Sequence, residues 1–201
     1  MKGIIFTGRP IADAQTFALL PAYLQDFLRA QNGVVAYFGG LHIRGCCPTP
    51  AWHSLGAAWN GEFAFWKLYE SVQPTDIPFA QDCVGNQFLL RGDAVLFLDT
   101  ETGEIADLEV DFKHFLFGVE KFPLDALGME PLRRFQQLGG KLEPGQLLSI
   151  YPPVCIQSTT EARQLKPLPV LERLTYLGDL YAQIKGLADG QRVHFSPKAS
   201  R

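Results

Sequence analysis

The chain has 201 residues, 47% of them hydrophobic and 12% aromatic, with a formal charge of −3. That fits one domain able to bury a core without metal or disulfide staples, and it argues against a general affinity for nucleic acid or anionic membranes. No apolar run approaches the ~18 residues of a membrane span, and "MKGIIF" is too short an apolar start for a signal peptide.

Residues 19–33, "LLPAYLQDFLRAQNG", predict a helix. Pro21 suits its first turn, Tyr23, Leu24, Phe27 and Leu28 share a face, and Asn32-Gly33 supplies a left-handed stop. "VVAYFGGLHI" predicts a hairpin turning at Gly39-Gly40. Thr49 is a candidate N-cap for a short helix over "TPAWHSL". "GEFAFWKLYESV", residues 61–72, predicts a second helix with Phe63, Trp66 and Tyr69 on one aromatic face. A meander follows: "FAQDCV", "QFLL", "AVLFL" and "EIADLEV" are strand candidates. They are separated by turn residues at Gly85-Asn86, Arg91-Gly92-Asp93 and Asp99–Gly103. "DFKHFLFGV" predicts a helix capped by Asp111, with Phe112, Phe115 and Leu116 inward. "GMEPLRRFQQLGG" predicts another, stopped by Gly139-Gly140. "GQLLSIYPP" reads as the last strand, ended by prolines, and residues 169–187 as the last helix. The tail, 191–201, reads as frayed. Clustered strands joined by tight turns, with helices before and after, predict an α+β fold around a central, mostly antiparallel sheet.

"PFAQDCVGNQFLL", residues 78–90, gathers Asp82, Cys83, Asn86 and Gln87 around one glycine. Gly-Asn between two β-type runs predicts a two-residue hairpin turn. The polar residues then read as turn and solvated strand positions, not as an active site.

Other chemistry-bearing residues lack the spacing their chemistry needs. His42, Cys46, Cys47 and His53 fall within 12 residues, but without a CxxC or HxxxH spacing. Neither Cys83 with His114 nor Cys155 with His194 sits in a nucleophile signature. Gly39-Gly40 and Arg91-Gly92-Asp93 lack a phosphate-loop frame. No catalytic residue, metal ligand or cofactor is therefore assigned, and the four cysteines are expected to be free thiols in a cytoplasmic protein. One feature stands out. Between Gly92 and Phe112 lie seven acids, Asp93, Asp99, Glu101, Glu104, Asp107, Glu109 and Asp111, and no Lys or Arg. A solvated edge that discourages sheet pairing is one reading, and a docking face for a basic partner is the other.

Taken in order, "LPAYLQDFLRAQNGVVAYFGGLHI", "WNGEFAFWKLY", "IPFAQDCVGNQFLLRGDAVLFLDTETGEI" and "VDFKHFL" resemble the SUKH superfamily, which includes Smi/Knr-type cell-wall regulators and bacterial immunity proteins. The resemblance covers residues 19–118 and extends toward 155. The length fits a single domain over 1–201; the resemblance implies a SUKH-like core at about 19–155, followed by a C-terminal helical extension at about 160–190. It also implies a non-catalytic protein-binding module that neutralises a nuclease- or deaminase-type toxin. Asp99, Glu101, Glu104, Asp107 and Glu109 are the expected contacts to a basic toxin domain, with no nucleic acid or membrane partner. The alternatives are a small enzyme with an unrecognised active site, or a regulatory scaffold like the fungal members. Cys46-Cys47 and the C-terminal helix have no counterpart in the resemblance.

Overall fold

The computed structural model describes residues 1–156, 163–188, 190 and 191. A seven-stranded antiparallel sheet forms its centre, and the strands lie side by side in chain order. They are β1 (Phe6–Thr7), β2 (Val34–Ala36), β3 (Leu41–Ile43), β4 (Ile77–Asp82), β5 (Gln87–Arg91), β6 (Ala94–Leu98) and β7 (Ile105–Asp111). Helices α1 (Ala14–Ala18) and α2 (Ala22–Ala30) connect β1 to β2. Helices α3 (Leu55–Asn60) and α4 (Phe65–Leu68) connect β3 to β4. After β7 come α5 (Phe112–Lys121), α6 (Pro123–Ala126) and α7 (Glu130–Gln137). The order is the α+β arrangement that the sequence predicts.

Alternation along the strands gives the sheet two unlike faces. Leu41, Ile43, Ala80, Phe88, Leu90 and Val95 build one core with Leu24 and Leu28 of α2 and Phe112, Phe115 and Val119 of α5. Asp111 caps α5 as predicted, accepting the His114 N–H at 2.8 Å. Asn32-Gly33 follows α2 as predicted, with Gly33 at φ 82°. The opposite face carries Leu89, Leu96 and Leu98 under Phe65, Tyr69 and Tyr181.

Three local expectations are corrected. The cap before α3 is Ser54, whose Oγ accepts the Ala57 N–H at 3.1 Å, and not Thr49. The helix expected over 61–72 shrinks to the single turn of α4, so three-residue spacing no longer aligns its aromatics: Phe63 is 67% exposed and Tyr69 is buried. The strand at Gln146–Tyr151 (β8) is not the last, because Gln164–Pro169 (β9) pairs with it in a separate two-stranded sheet. The final helix, α8 (Val170–Ile184), follows β9 directly. Its Tyr181 and Leu177 press against Gly103 and Gly85, where an added Cβ would stand 2.2 and 2.9 Å from them. The expected frayed tail falls, but for Gln191, outside the described residues.

Candidate functional site

Gln81, Asp82 and Gln87 of "PFAQDCVGNQFLL" are buried, not solvated, and Asn86 is half-buried. Asp82 is the organiser of the turn. Its Oδ1 accepts the backbone N–H groups of Val84, Gly85 and Asn86 at 2.9, 2.8 and 3.0 Å, and its Oδ2 accepts from the Asn86 amide at 2.9 Å. The connection is longer than the two-residue Gly85-Asn86 turn expected: residues 83–86 join β4 to β5 around the Asp82 carboxylate, and Gly85, at φ 107°, supplies its left-handed residue. Burial pushes the Asp82 carboxyl up to about 6, against the hydrogen bonds that favour its charge.

A polar stripe crosses the three middle strands. His42 of β3 pairs with Gln81 of β4, and Gln81 pairs with Gln87 of β5. Side chains at these positions share one face, joined by Arg44 from the end of β3. Arg44 is 2% exposed. It donates to Pro78 O at 2.8 Å and to the Oε1 atoms of Gln81 and Gln87, each at 2.7 Å. The Phe65 ring lies 5.4 Å from its guanidinium carbon. These bonded partners are all neutral, and burial pulls the guanidinium down to about 9.

The stripe continues away from Arg44 through two imidazoles. Gln81 Nε2 lies 3.0 Å from His42 Nδ1, His42 Nε2 lies 2.9 Å from His53 Nδ1, and His53 Nε2 lies 3.1 Å from Asn32 O. The proton positions follow by elimination. Arg44 can only donate, so Gln81 turns its oxygen to Arg44 and its amide to His42. His42 Nδ1 must then accept, which puts its proton on Nε2. His53 Nδ1 accepts that proton, and its own Nε2–H donates to Asn32 O. Both rings are neutral Nε2–H tautomers. Burial and the Arg44 charge hold both below the usual histidine range, in His53 against the hydrogen bond to Asn32 O, which favours its charged form. The His53 ring occupies a niche of backbone, where a Cβ on Gly8, Gly33 or Gly45 would come within 2.7 Å of it. Phe6 and Trp52 pack against it at centroid distances of 4.9 and 5.5 Å. Outside this niche, Phe6, Arg9, Cys47, Thr49, Pro50 and His53 line a cleft of 320 Å³.

Cys46 and Cys47 do not join the imidazoles in a ligand set. Among the described residues, no group of three or more His, Cys, Asp or Glu is placed to hold a metal ion. All four cysteines are free thiols, three buried and Cys155 exposed. Burial is the largest cause raising each of them, to about 12 for Cys46 and Cys155.

The structure divides the five expected docking residues. Glu104, Asp107 and Glu109 are exposed, on β7 and the turn that leads into it. Asp99 is half-buried and caps that turn, accepting the N–H groups of Glu101 and Thr102 at 2.8 and 3.1 Å. Glu101 is 7% exposed and faces inward. It accepts the Cys155 N–H at 2.9 Å and lies 3.7 Å from Arg173 of α8. Arg173 in turn donates to Val84 O at 3.2 Å. Glu101 thus anchors α8 to the sheet turns and is withdrawn from the expected surface. β7 is an edge strand with a bulge opposite Val95, where Glu109 takes φ 56° and donates its N–H to Asp107 Oδ1 at 2.8 Å. Asp93 and Asp111 add two more exposed acids beside it.

Such a mostly antiparallel α+β sheet, with a buried polar stripe and an acidic edge, is the class of protein this chain represents. No protein-family model matches the chain, and no curated protein matches it. Among solved structures, it is similar to the crystal structure of Atu4351 from Agrobacterium tumefaciens. The TM-score is 0.53 at 15% identity, over 87% of this chain and 85% of that one. At that identity the likeness concerns the fold alone. No helix among the described residues is long and apolar enough to cross a membrane.

Proposed function

We propose that this protein is a non-catalytic binding module of SUKH type, an immunity protein that occludes the basic, nucleic-acid-directed cleft of a toxin. The observation that carries the reading is the acidic edge. Asp93, Glu104, Asp107, Glu109 and Asp111 are exposed along β7 and its flanks, and no Lys or Arg lies between Gly92 and Phe112. A toxin that attacks nucleic acid presents positive charge, because phosphate contacts dominate its substrate affinity. An acidic surface competes for that cleft by complementary potential, which raises association rate and specificity more than affinity. The same acids, with the bulge at Glu109, discourage β7 from pairing with other sheets. The resemblance in motif order over residues 19–118 supports the same reading.

The test is binding to purified nuclease- and deaminase-type toxin modules, measured as association rate against salt. The reading expects a stoichiometric complex whose association slows as ionic strength rises. A complex with salt-independent association would move the docking face elsewhere. Turnover of a small molecule without any protection against the toxin would refute the immunity reading.

A further inference from the structure

The His42–His53 pair has a property that its tautomer chain makes inescapable. Each imidazole nitrogen in the chain faces a group with a fixed role. A proton added to His53 Nδ1 meets the His42 Nε2–H at 2.9 Å. A proton added to His42 Nδ1 meets the Gln81 amide at 3.0 Å. Shifting the His42 tautomer or turning Gln81 over only moves the conflict along, because the Gln81 amide would then face Arg44 where an oxygen now accepts at 2.7 Å. Every arrangement with one extra proton leaves two donors face to face.

No carboxylate pairs with that proton: Asp13, from the loop before α1, faces Cys46 and Cys47 and accepts the Thr16 N–H at 3.0 Å. From β3, Arg44 is a like charge. From the loop after β1, Arg9 lines the same cleft as His53. β4 contributes the neutral Gln81, the end of α2 contributes the neutral Asn32, and β1 and the Ala51–His53 turn contribute the rings of Phe6 and Trp52. Cys46 and Cys47 are thiols held protonated by burial. Asp82 is the carboxylate next along β4, but its oxygens are committed to the 83–86 turn.

We propose that the His42–His53 pair is a proton-operated latch: with both rings neutral, it pins the Ala51–His53 turn and the β1 corner to the sheet, and protonation releases this corner and opens the Arg9-lined cleft while the α5 side stays folded. The release is local because His53 reaches the sheet from a turn. One side of its ring is seated in a backbone niche at Gly8, Gly33 and Gly45, and the side chains packed on the rest, Phe6 and Trp52, belong to the same corner. The sense of the pH dependence follows from the lowered values of both rings. The closed corner is fully favoured above the ordinary histidine pKa of about 6.5, and is progressively lost as pH falls below it. The ratio of open to closed corner rises by up to about tenfold per pH unit for one released imidazole and about a hundredfold for two. Asp82 acts in the opposite sense: with its carboxyl raised, its contribution is present at low pH and lost as pH rises through about 6. It acts on a different segment, the 83–86 turn, and so can be read separately.

Hydrogen–deuterium exchange of the full chain at pH 7.5 and pH 5.0, corrected for intrinsic exchange rates, tests the latch. The expected result is excess exchange of at least about tenfold at pH 5.0 in peptides covering 5–9, 31–34 and 51–55, with none in 87–98 or 112–121. Imidazole nitrogen NMR of the same wild-type protein at pH 7.5 is expected to find the proton on Nε2 in both rings. His53→Gln, which removes one of the two titrating groups and the ring that ties the Ala51–His53 turn to the sheet, is expected to reduce the acid response of the three corner peptides to no more than about tenfold per pH unit, and the wild-type measurements decide alone if that variant does not fold. Equal acid response in all peptides, no response in the three corner peptides, or a proton on Nδ1 of either ring would overturn the proposal.

Discussion

Arg44→Met tests whether the buried stripe is held by its cation. The substitution keeps an unbranched apolar stem under Phe65 and removes three hydrogen bonds, to Pro78 O at 2.8 Å and to Gln81 and Gln87 at 2.7 Å. Bonds from a charged donor contribute about 1.5–3 kcal/mol each, so the gross loss is about 4.5–9 kcal/mol. Against this stands relief of a guanidinium buried among neutral partners, which costs several kcal/mol. The balance is a destabilisation of about 3 kcal/mol, a large share of the 5–15 kcal/mol typical of a domain. The assay is urea unfolding, comparing midpoints at constant slope. The double variant Arg44→Met/Gln87→Met removes one of the orphaned acceptors as well. It should lose less than the sum of the two single variants, by about 0.5–3 kcal/mol. The reasoning is refuted if Arg44→Met changes stability by less than about 0.5 kcal/mol, or if the two substitutions add without coupling.

Other outcomes follow from the same structure. Glu101→Ala leaves Arg173, 1% exposed, without its carboxylate, and should cost about 3–5 kcal/mol in thermal or urea unfolding; a neutral result would return Glu101 to the docking surface. Trp66→Ala removes a half-buried ring whose Nε1 donates to Trp59 O at 2.9 Å, and should lower the melting temperature by an amount corresponding to about 1–3 kcal/mol, less than for a fully buried aromatic. Unchanged stability with lost partner binding would instead mark Trp66 as an interface anchor. Charge reversal at Asp93, Glu104 and Glu109 together should leave unfolding within about 1 kcal/mol of wild type and slow association with a basic partner at low salt, with a smaller effect at high salt. Asp107 is spared in that variant because it accepts the Glu109 N–H in the bulge.

The left-handed glycines and the Asp111 cap were legible because their signals are local. Gly85 at φ 107°, Gly33 at φ 82° and the Asp111 cap each need only their own few residues. β9 was not legible: "QLKPLP" carries two prolines, and its partner β8 lies outside the main sheet, so a proline-bearing edge strand reads as loop. The buried stripe was misread for a different reason. Gln81 and Gln87 are polar strand positions that read as solvent-facing, and only long-range packing of Phe65 and Tyr181 over their face makes them interior, while Asp82 lies on the opposite face beside Leu41. A signal was present in His42 and Arg44, which alternate with Leu41 and Ile43 and so fall on the face that Gln81 and Gln87 share. The acidic window was legible as a run of charge. The division between Glu101, turned inward to Arg173, and Glu104, turned to solvent, depends on α8 and could not be read from spacing.

The central claim is neutralisation of a toxin by binding, and cell survival tests it most directly. Cells would express a nuclease- or deaminase-type toxin module that binds this protein in vitro, with wild-type protein or with the Asp93, Glu104 and Glu109 reversal, at matched soluble levels. The account predicts survival with wild type, a one-to-one complex recovered from those cells, and weaker protection by the reversal variant. Death of the cells despite soluble wild-type protein, with no complex recovered, would contradict it.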